Sequence, residues 1–471
     1  MPENEENQEH FWNKVKETAQ TISSFESPTI VTHLDADGLC AGAIIDRTLK
    51  KIGKIPLLIP IRQLDRETIL LVPKDRETIF TDLGSGQLSL ISDNLPRKSA
   101  IIDHHEPEKT DLPERIVHLN AVEQGFSGSR EVSGAGLAFL VSLEISEIPE
   151  NAPLAITGAV GDVQGQEGLI GLNRKILEIG ERMGTVRAEK GVSFFGRETR
   201  KLPDLLSTAT DPFFRGLSGN PEGAEKFLEE LGIPSERTYS RLSPEGKTAL
   251  ITGLYQYGIQ AGLLPWELKR IVSEYYIFPK ELPGTELRDA TEFSTLLNAC
   301  GRNEEALLGI RVCEGDRESA FAKTKELLAL HRENLSKALE LLLSKGTEPI
   351  GKTVQLFQSD EIKPTIIGVV AGIALGSRLV DSERVFLGAS SQGENEYKIS
   401  ARGTRKFVKE GLELSKIMRK VSGEFGGLGG GHDIAAGASI PKEALRDFCK
   451  RVDEEITNQI EAERNGNRSG I

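Results

Sequence analysis

The 471-residue chain carries 58 Lys and Arg against 71 Asp and Glu, a formal net charge of −13, with 38% hydrophobic and 27% charged residues. That length gives room for two or three domains with cores of their own, and the acidic balance excludes nonspecific duplex binding through a globally basic surface. No stretch approaches about 18 uninterrupted apolar residues, and the polar opening MPENEENQEH is unlike a secretory signal, so a cytoplasmic address with no membrane partner is expected.

Phe11, Val15, Ala19 and Ile22 fall near helical spacing and predict an amphipathic helix over 9–24, closed by Ser27-Pro28. The apolar run Thr29-Ile30-Val31 reads as a strand leading into Thr32-His33-Leu34-Asp35-Ala36-Asp37-Gly38, and Gly38 opens a helix that runs to about Lys51 and ends at Gly53. Pro56 to Ile61 is the next strand. Thr78-Ile79-Phe80-Thr81 then runs into Asp82-Leu83-Gly84, and Ser99 to Ile102 runs into Asp103-His104-His105. A strand at Ile116–Leu119 and a helix over Gly134–Ser146 follow, and Ala155 to Asp162 reads as a buried helix or strand that also delivers an acid. Strands alternating with helical crossovers predict a parallel sheet covered on both faces, within a domain spanning 1–185.

From 186 to 320 the texture changes to short helical pieces broken by Pro and Gly, read as a mainly helical insert. Phe321 to Leu343, free of Gly and Pro, predicts a long helix, and 321–349 is read as the connection to a smaller α/β domain over 350–460. That last domain holds strand-like Val354–Phe357 and Arg384–Gly388, a helix near Ile366 to Leu375 and a glycine cluster at 426–431. Cys40, Cys300, Cys313 and Cys449 form no C-x-x-C pair and read as buried small hydrophobes. Asn465 to Ile471 reads as a frayed tail.

The chemistry gathers at the ends of the apolar runs: Asp35, Asp37, Asp82, His104 and Asp162, with His33 beside them. Open parallel sheets place ligands at the carboxyl ends of their strands, and carboxylates crowded there repel one another unless cations lie between them. Oxygen ligands with imidazoles and no thiolate favour Mn²⁺ or Mg²⁺ over structural zinc. A carboxylate shared by two such ions is the arrangement of hydrolytic two-metal sites. Consecutive glycines in Gly426-Gly427-Leu428-Gly429-Gly430-Gly431 let backbone N–H groups approach a phosphate, and residues 401–420 add seven Lys or Arg beside it.

HLDADG, TDLGSG, IIDHHEP and GAVGDVQGQ resemble, in order, the four motifs of the DHH phosphoesterase superfamily, and Ser400-Ala401-Arg402-Gly403 with Gly429 to Gly437 resembles the DHH-associated substrate domain. Length, the Asp-Ala-Asp-Gly form of the first motif and the intervening segment look like the archaeal RecJ-like single-strand nucleases of that superfamily. The resemblance implies that His33, Asp35, Asp37, Asp82, His104 and Asp162 ligate two Mn²⁺ ions, with Mg²⁺ or Co²⁺ as substitutes and Asp82 as the bridge. The histidine of this first motif, His33, stands two residues before Asp35, where superfamily pyrophosphatases place theirs four before; here that position is Val31.

By the same carry-over His105 contacts the scissile phosphate and Asp103 orients a histidine, while Ser400, Arg402, Gly430, Gly431 and His432 bind a neighbouring phosphate or sugar. Phe194, Phe195, Arg197, Arg200 and Lys201 are expected to stack bases and follow a backbone. The implied activity is a single-strand exonuclease on DNA or RNA serving replication or repair, with a GINS-type replisome partner. An oligoribonuclease, a cyclic-dinucleotide phosphodiesterase and a replisome scaffold with vestigial activity are the alternatives.

Overall fold

Five short strands rich in β-branched residues pair in parallel: β1 (Thr29–His33), β2 (Leu57–Ile61), β3 (Thr78–Thr81), β4 (Ser99–Asp103) and β5 (Ile116–Asn120). Their order is β2-β1-β3-β4-β5, and β3, β4 and β5 are buried at every position, as a parallel sheet covered on both faces requires. The computed structural model describes the backbone of residues 5–468 and the side chains of residues 8–462. One face is covered by α1 (Glu5–Ser24), α2 (Ala36–Lys51), α4 (Gly134–Ser146) and α5 (Ala152–Gly161), whose apolar residues share one core with Ile30, Ile79 and Ile102. The other face packs Val31, Phe80 and Ile101 against Leu88 and Ile91 of α3 (Leu88–Asn94).

After α6 (Gly171–Arg182) the chain is mainly helical, through α7 (Leu202–Ser207), α8 (Pro221–Glu230), α9 (Pro244–Gln260) and the short α10 (Pro265–Leu268). It also contains an antiparallel ribbon of β6 (Arg187–Val192) and β7 (Val272–Ile277), which the sequence reading missed. The stretch Arg-Ala-Glu-Lys-Gly-Val has no apolar alternation to announce a strand. α11 (Ala290–Arg302) and α12 (Ala306–Cys313) then pack back on α2 within the same core. α13 (Ser319–Lys345) is the long helix expected from the run without Gly or Pro.

The second sheet is mixed: β8 (Glu348–Ile350), β9 (Val354–Gln358), β10 (Val385–Gln392), β11 (Glu396–Arg402), β12 (Leu428–Gly431) and β13 (Ala435–Pro441), in the order β12-β13-β11-β10-β9-β8. α14 (Ile367–Gly376), α15 (Arg405–Lys409), α16 (Leu414–Glu424) and α17 (Leu445–Arg468) accompany it. The expected tail is helical in its backbone as far as Arg468, and 469–471 lie outside the described residues. Residues up to Thr208 together with Gly219–Ala329 form one compact unit, and Ala209–Ser218 together with residues from Leu330 onward form the other. All four cysteines are buried and free. No described helix is long and apolar enough to cross a membrane.

Candidate metal centre

The first sheet's carboxyl edge places the expected ligands together. β1 ends at His33, and Asp35 caps α2 by accepting from Gly38 N at 3.0 Å, which sets Asp37 in the first helical turn. The helix therefore opens at Ala36, two residues before the glycine expected to start it. β3 delivers Asp82 in the left-handed region, φ 61°, a conformation that costs a non-glycine residue on the order of 1 kcal/mol and is tolerated mainly at functional sites. β4 delivers Asp103 and then His104. Asp162 comes from the carboxyl end of helix α5 rather than from a strand end.

Asp82 faces two groups at once. Its Oδ2 lies 3.6 Å from His33 Nδ1, which is itself 3.0 Å from Asp35 Oδ2, while its Oδ1 lies 3.1 Å from His104 Nε2. His104 Nε2 in turn lies 3.4 Å from Asp162 Oδ2 and 3.7 Å from Asp37 Oδ2. Three overlapping sets of ligand atoms thus gather, each within 4.8 Å of one another: His33 with Asp35 and Asp82, Asp37 with His104 and Asp162, and Asp82 with Asp103, His104 and His105. Main-chain groups fix their orientation: His104 Nδ1 donates to Gly128 O at 2.5 Å, so the ring presents Nε2, and Asp37 accepts from Gly134 N at 2.7 Å and Ala135 N at 2.9 Å at the start of α4. Glycine is needed on two sides, since a Cβ at Gly158 would lie 2.2 Å from Asp37 Oδ1 and one at Gly134 would lie 2.6 Å from Asp82 Oδ1.

Electrostatics point to missing positive charge. Burial, then the charges of Asp82 and Asp162, drive Asp37 well above the usual carboxylate range, and burial pushes Asp162 up to about 6. Burial opposes charge on His33 and His104, yet their carboxylate neighbours outweigh it and raise both. Asp82 Oδ1 and His104 Nε2 are buried without a hydrogen-bond partner despite their proximity. Orphaned acceptors in a ring of carboxylates are the environment a divalent cation satisfies, and the all-oxygen and imidazole donor set suits Mn²⁺ or Mg²⁺.

Asp103 takes a supporting place. Burial works against its charge, but His105, His104 and the Ser85 N–H hold its carboxyl far below the ordinary range. Its Oδ1 accepts from His105 Nδ1 at 2.8 Å, and His105 is half exposed, its ring tilted against that of His104. Burial opposes charge on His105 too, and Asp103 overcomes it and raises the imidazole. One contributor went unread in the sequence: Asn298 of α11 accepts the Ala36 N–H between Asp35 and Asp37 at 3.0 Å. Gly301, one helical turn on, lets α11 approach Leu34, whose carbonyl oxygen would lie 1.8 Å from a Cβ there.

In the second unit Ser400 and Arg402 lie on β11, both bordering Gly368 in the first turn of α14. Gly430 and Gly431 belong to edge strand β12, paired with Gly437 and Ala436, so the last four residues of the glycine cluster form a strand. Gly429 is there for close packing, since a Cβ would lie 2.4 Å from Met418 O. His432 sits in the tight β12–β13 turn, its N–H donating to Ala435 O at 2.8 Å. The basic stretch 401–420 is interrupted by ion pairs of Lys406 with Glu383, Lys416 with Glu413 and Lys420 with Glu455. In the middle region Arg197 is buried against Asp289 at 2.7 Å and Phe194 is buried, so neither is placed to follow a nucleic acid. Arg200 stacks on Phe195 at 4.7 Å, and Lys201 pairs with Glu236.

Comparison with known proteins agrees with this geometry. Residues 28–160 match the DHH family N-terminal domain, 194–272 the DHH-CID domain and 351–458 the DHHA1 domain. The chain is 32% identical over 440 residues to the uncharacterized protein MJ0831 of Methanocaldococcus jannaschii, covering 92% of this chain and 93% of that one. The chain belongs to the DHH phosphoesterase family. This DHH protein shares its fold with manganese-bound exonuclease RecJ, at a TM-score of 0.56, 18% identity and 94% coverage of both chains. It shares it also with CDC45 of Entamoeba histolytica, at 0.62, 12% identity and coverage of 95% and 98%.

Proposed function

We propose that this DHH protein is a metal-dependent exonuclease that hydrolyses phosphodiester bonds of single-stranded DNA or RNA. The observation that carries the reading is Asp82, whose two oxygens face two separate sets of carboxylate and imidazole ligands. His33, Asp35, Asp37, Asp82, His104 and Asp162 would hold a pair of divalent ions, with Asp82 shared. When bound, such a pair supplies the Lewis acidity that activates water and neutralises phosphoryl charge. Burial opposes charge on His105 and Asp103 raises it, which favours the imidazolium whose other ring nitrogen would donate to a phosphate oxygen. Arg402, partly buried beside Ser400 and the first turn of α14, offers a guanidinium to a second phosphate. The order DHH, DHH-CID, DHHA1 along the chain and the full-length likeness to an exonuclease fold support a polymer over a small nucleotide.

End-labelled single-stranded DNA and RNA and the matching blunt duplexes, incubated with Mn²⁺ and resolved by length, test the reading. Stepwise shortening of the single strands, with arrest at a duplex junction, is expected. Cleavage of dinucleotides alone would replace the reading by a small-nucleotide phosphodiesterase, and no cleavage of any substrate by a scaffold.

A further inference from the structure

Behind the Asp103-His104-His105 turn lies a hydrogen-bonded chain that the metal chemistry does not use. His118, on β5 and 5% exposed, places Nε2 2.8 Å from Ser85 Oγ and Nδ1 3.1 Å from Glu123 Oε2. Asn120 Nδ2 donates to Ser85 Oγ at 2.8 Å and to His105 O at 2.8 Å, and the Ser85 N–H donates to Asp103 Oδ2 at 2.9 Å. Serine, imidazole and carboxylate in line resemble a nucleophilic triad, but Ser85 has no exposed surface and no substrate atom can reach it.

The donors and acceptors leave one consistent polarity. The Glu123 carboxylate only accepts, which places a hydrogen on His118 Nδ1; a neutral ring then takes the Ser85 hydroxyl hydrogen at Nε2, and Asn120 Nδ2 donates to a lone pair of Ser85 Oγ. The half-exposed Glu123 carboxylate thereby sets the tautomer of a buried ring, and that ring locks a serine whose main chain grips Asp103. Asp103 is the group that holds His105.

We propose that Glu123, His118 and Ser85 are positioning residues that orient His105 through Asp103 and Asn120, an inference that rests on the phosphoesterase reading given above. Outer partners of this kind change rate by about 10–100-fold when removed.

The test uses the full chain with Mn²⁺ and the chromogenic diester bis(p-nitrophenyl) phosphate. His118→Leu should lower kcat about tenfold or more with KM and the Mn²⁺ midpoint unchanged, and His118→Gln, which keeps an acceptor for Ser85, should recover most of it. In a His105→Ala background the His118→Leu penalty should vanish, because the residue acts through His105. Spectra of protein labelled with ¹⁵N-histidine, taken without metal, give a readout independent of turnover: His118 as the Nδ1–H tautomer, and His105 resonances that move in Ser85→Ala and His118→Leu while those of His33 stay. A penalty that persists in full without His105, or His105 resonances unmoved in both variants, would overturn the proposal. A wild-type protein inactive on the diester would count against the phosphoesterase reading, leaving the spectra to decide the positioning.

Discussion

At the carboxyl edge of the first sheet Asp35, Asp37, Asp82 and Asp162 converge around two imidazoles, whereas on the second sheet the charged groups beside glycines are cations, Arg402 at Gly368 and Lys398 at Gly437. Burial shifts members of both sets against their charge, raising Asp37 and Asp162 and lowering Arg402, while at Asp35 burial is outweighed by His33, which holds that carboxyl below the ordinary range. The first region therefore stores uncompensated negative charge and suits cations; the second stores positive charge at the start of a helix and suits an anion. On the function proposed above, one chain carries both halves of what a phosphodiester needs.

Substitution at Asp82 should break the first half outright. Asp82→Ala is expected to reduce Mn²⁺-dependent hydrolysis to background, because Asp82 belongs to the His33–Asp35 set and also lies 3.1 Å from His104 of the Asp37–Asp162 set, while far-ultraviolet circular dichroism stays native. Substantial residual turnover would show that the two sets are independent. Arg402→Ala should weaken the second half alone, raising KM for a single strand by about tenfold, the equivalent of one charge-assisted contact, and leaving the Mn²⁺ midpoint in place. A shifted Mn²⁺ midpoint would mean that the two regions are not separate in function.

Two smaller effects sharpen the picture of how the first region is held. Asn298→Leu strands the Ala36 N–H and should cost about 1 kcal/mol of stability, with a weaker Mn²⁺ affinity seen by calorimetry; unchanged affinity would release α11 from any part in the site. α11 is itself anchored by Glu292, which accepts from Glu198 N at 2.7 Å and from the Thr199 hydroxyl. Burial, then the charge of Asp289, pushes Glu292 up to about 7.

A raised carboxyl pKa means that between about 4.5 and 7 the folded protein binds the extra proton. Stability from this group is therefore lost as pH rises through that window, by an amount on the order of 3 kcal/mol at most. Glu292→Gln should raise the melting temperature at pH 8 and leave it nearly unchanged at pH 4. Equal shifts at both values would place the effect elsewhere.

The cluster was legible because His33 and Asp103 end, and Asp82 directly follows, a buried strand, a pattern local in sequence and dictated by a sheet buried on both faces. Asp162 was legible as a ligand by motif, but its helix was not, since Ala155 to Gly161 is apolar all round and carries no periodicity. Asn298, Gly301 and His118 escaped for a different reason: each acts through a contact distant in sequence, and nothing in its neighbours marks it. The β6–β7 ribbon and edge strand β12 were hidden by composition, charged in β6 and glycine in β12. Arg197 misled because a cation beside two phenylalanines reads the same whether it awaits a phosphate or sits in a buried pair with Asp289.

The central claim is that Asp82 joins two cation sites. Mn²⁺ titrated into the metal-free protein and followed by electron paramagnetic resonance tests it most directly. The account predicts two ions per chain, with the spectrum of a coupled pair in the wild type and loss of that coupling in Asp82→Asn. A single ion at saturation, or coupling that survives Asp82→Asn, would contradict it.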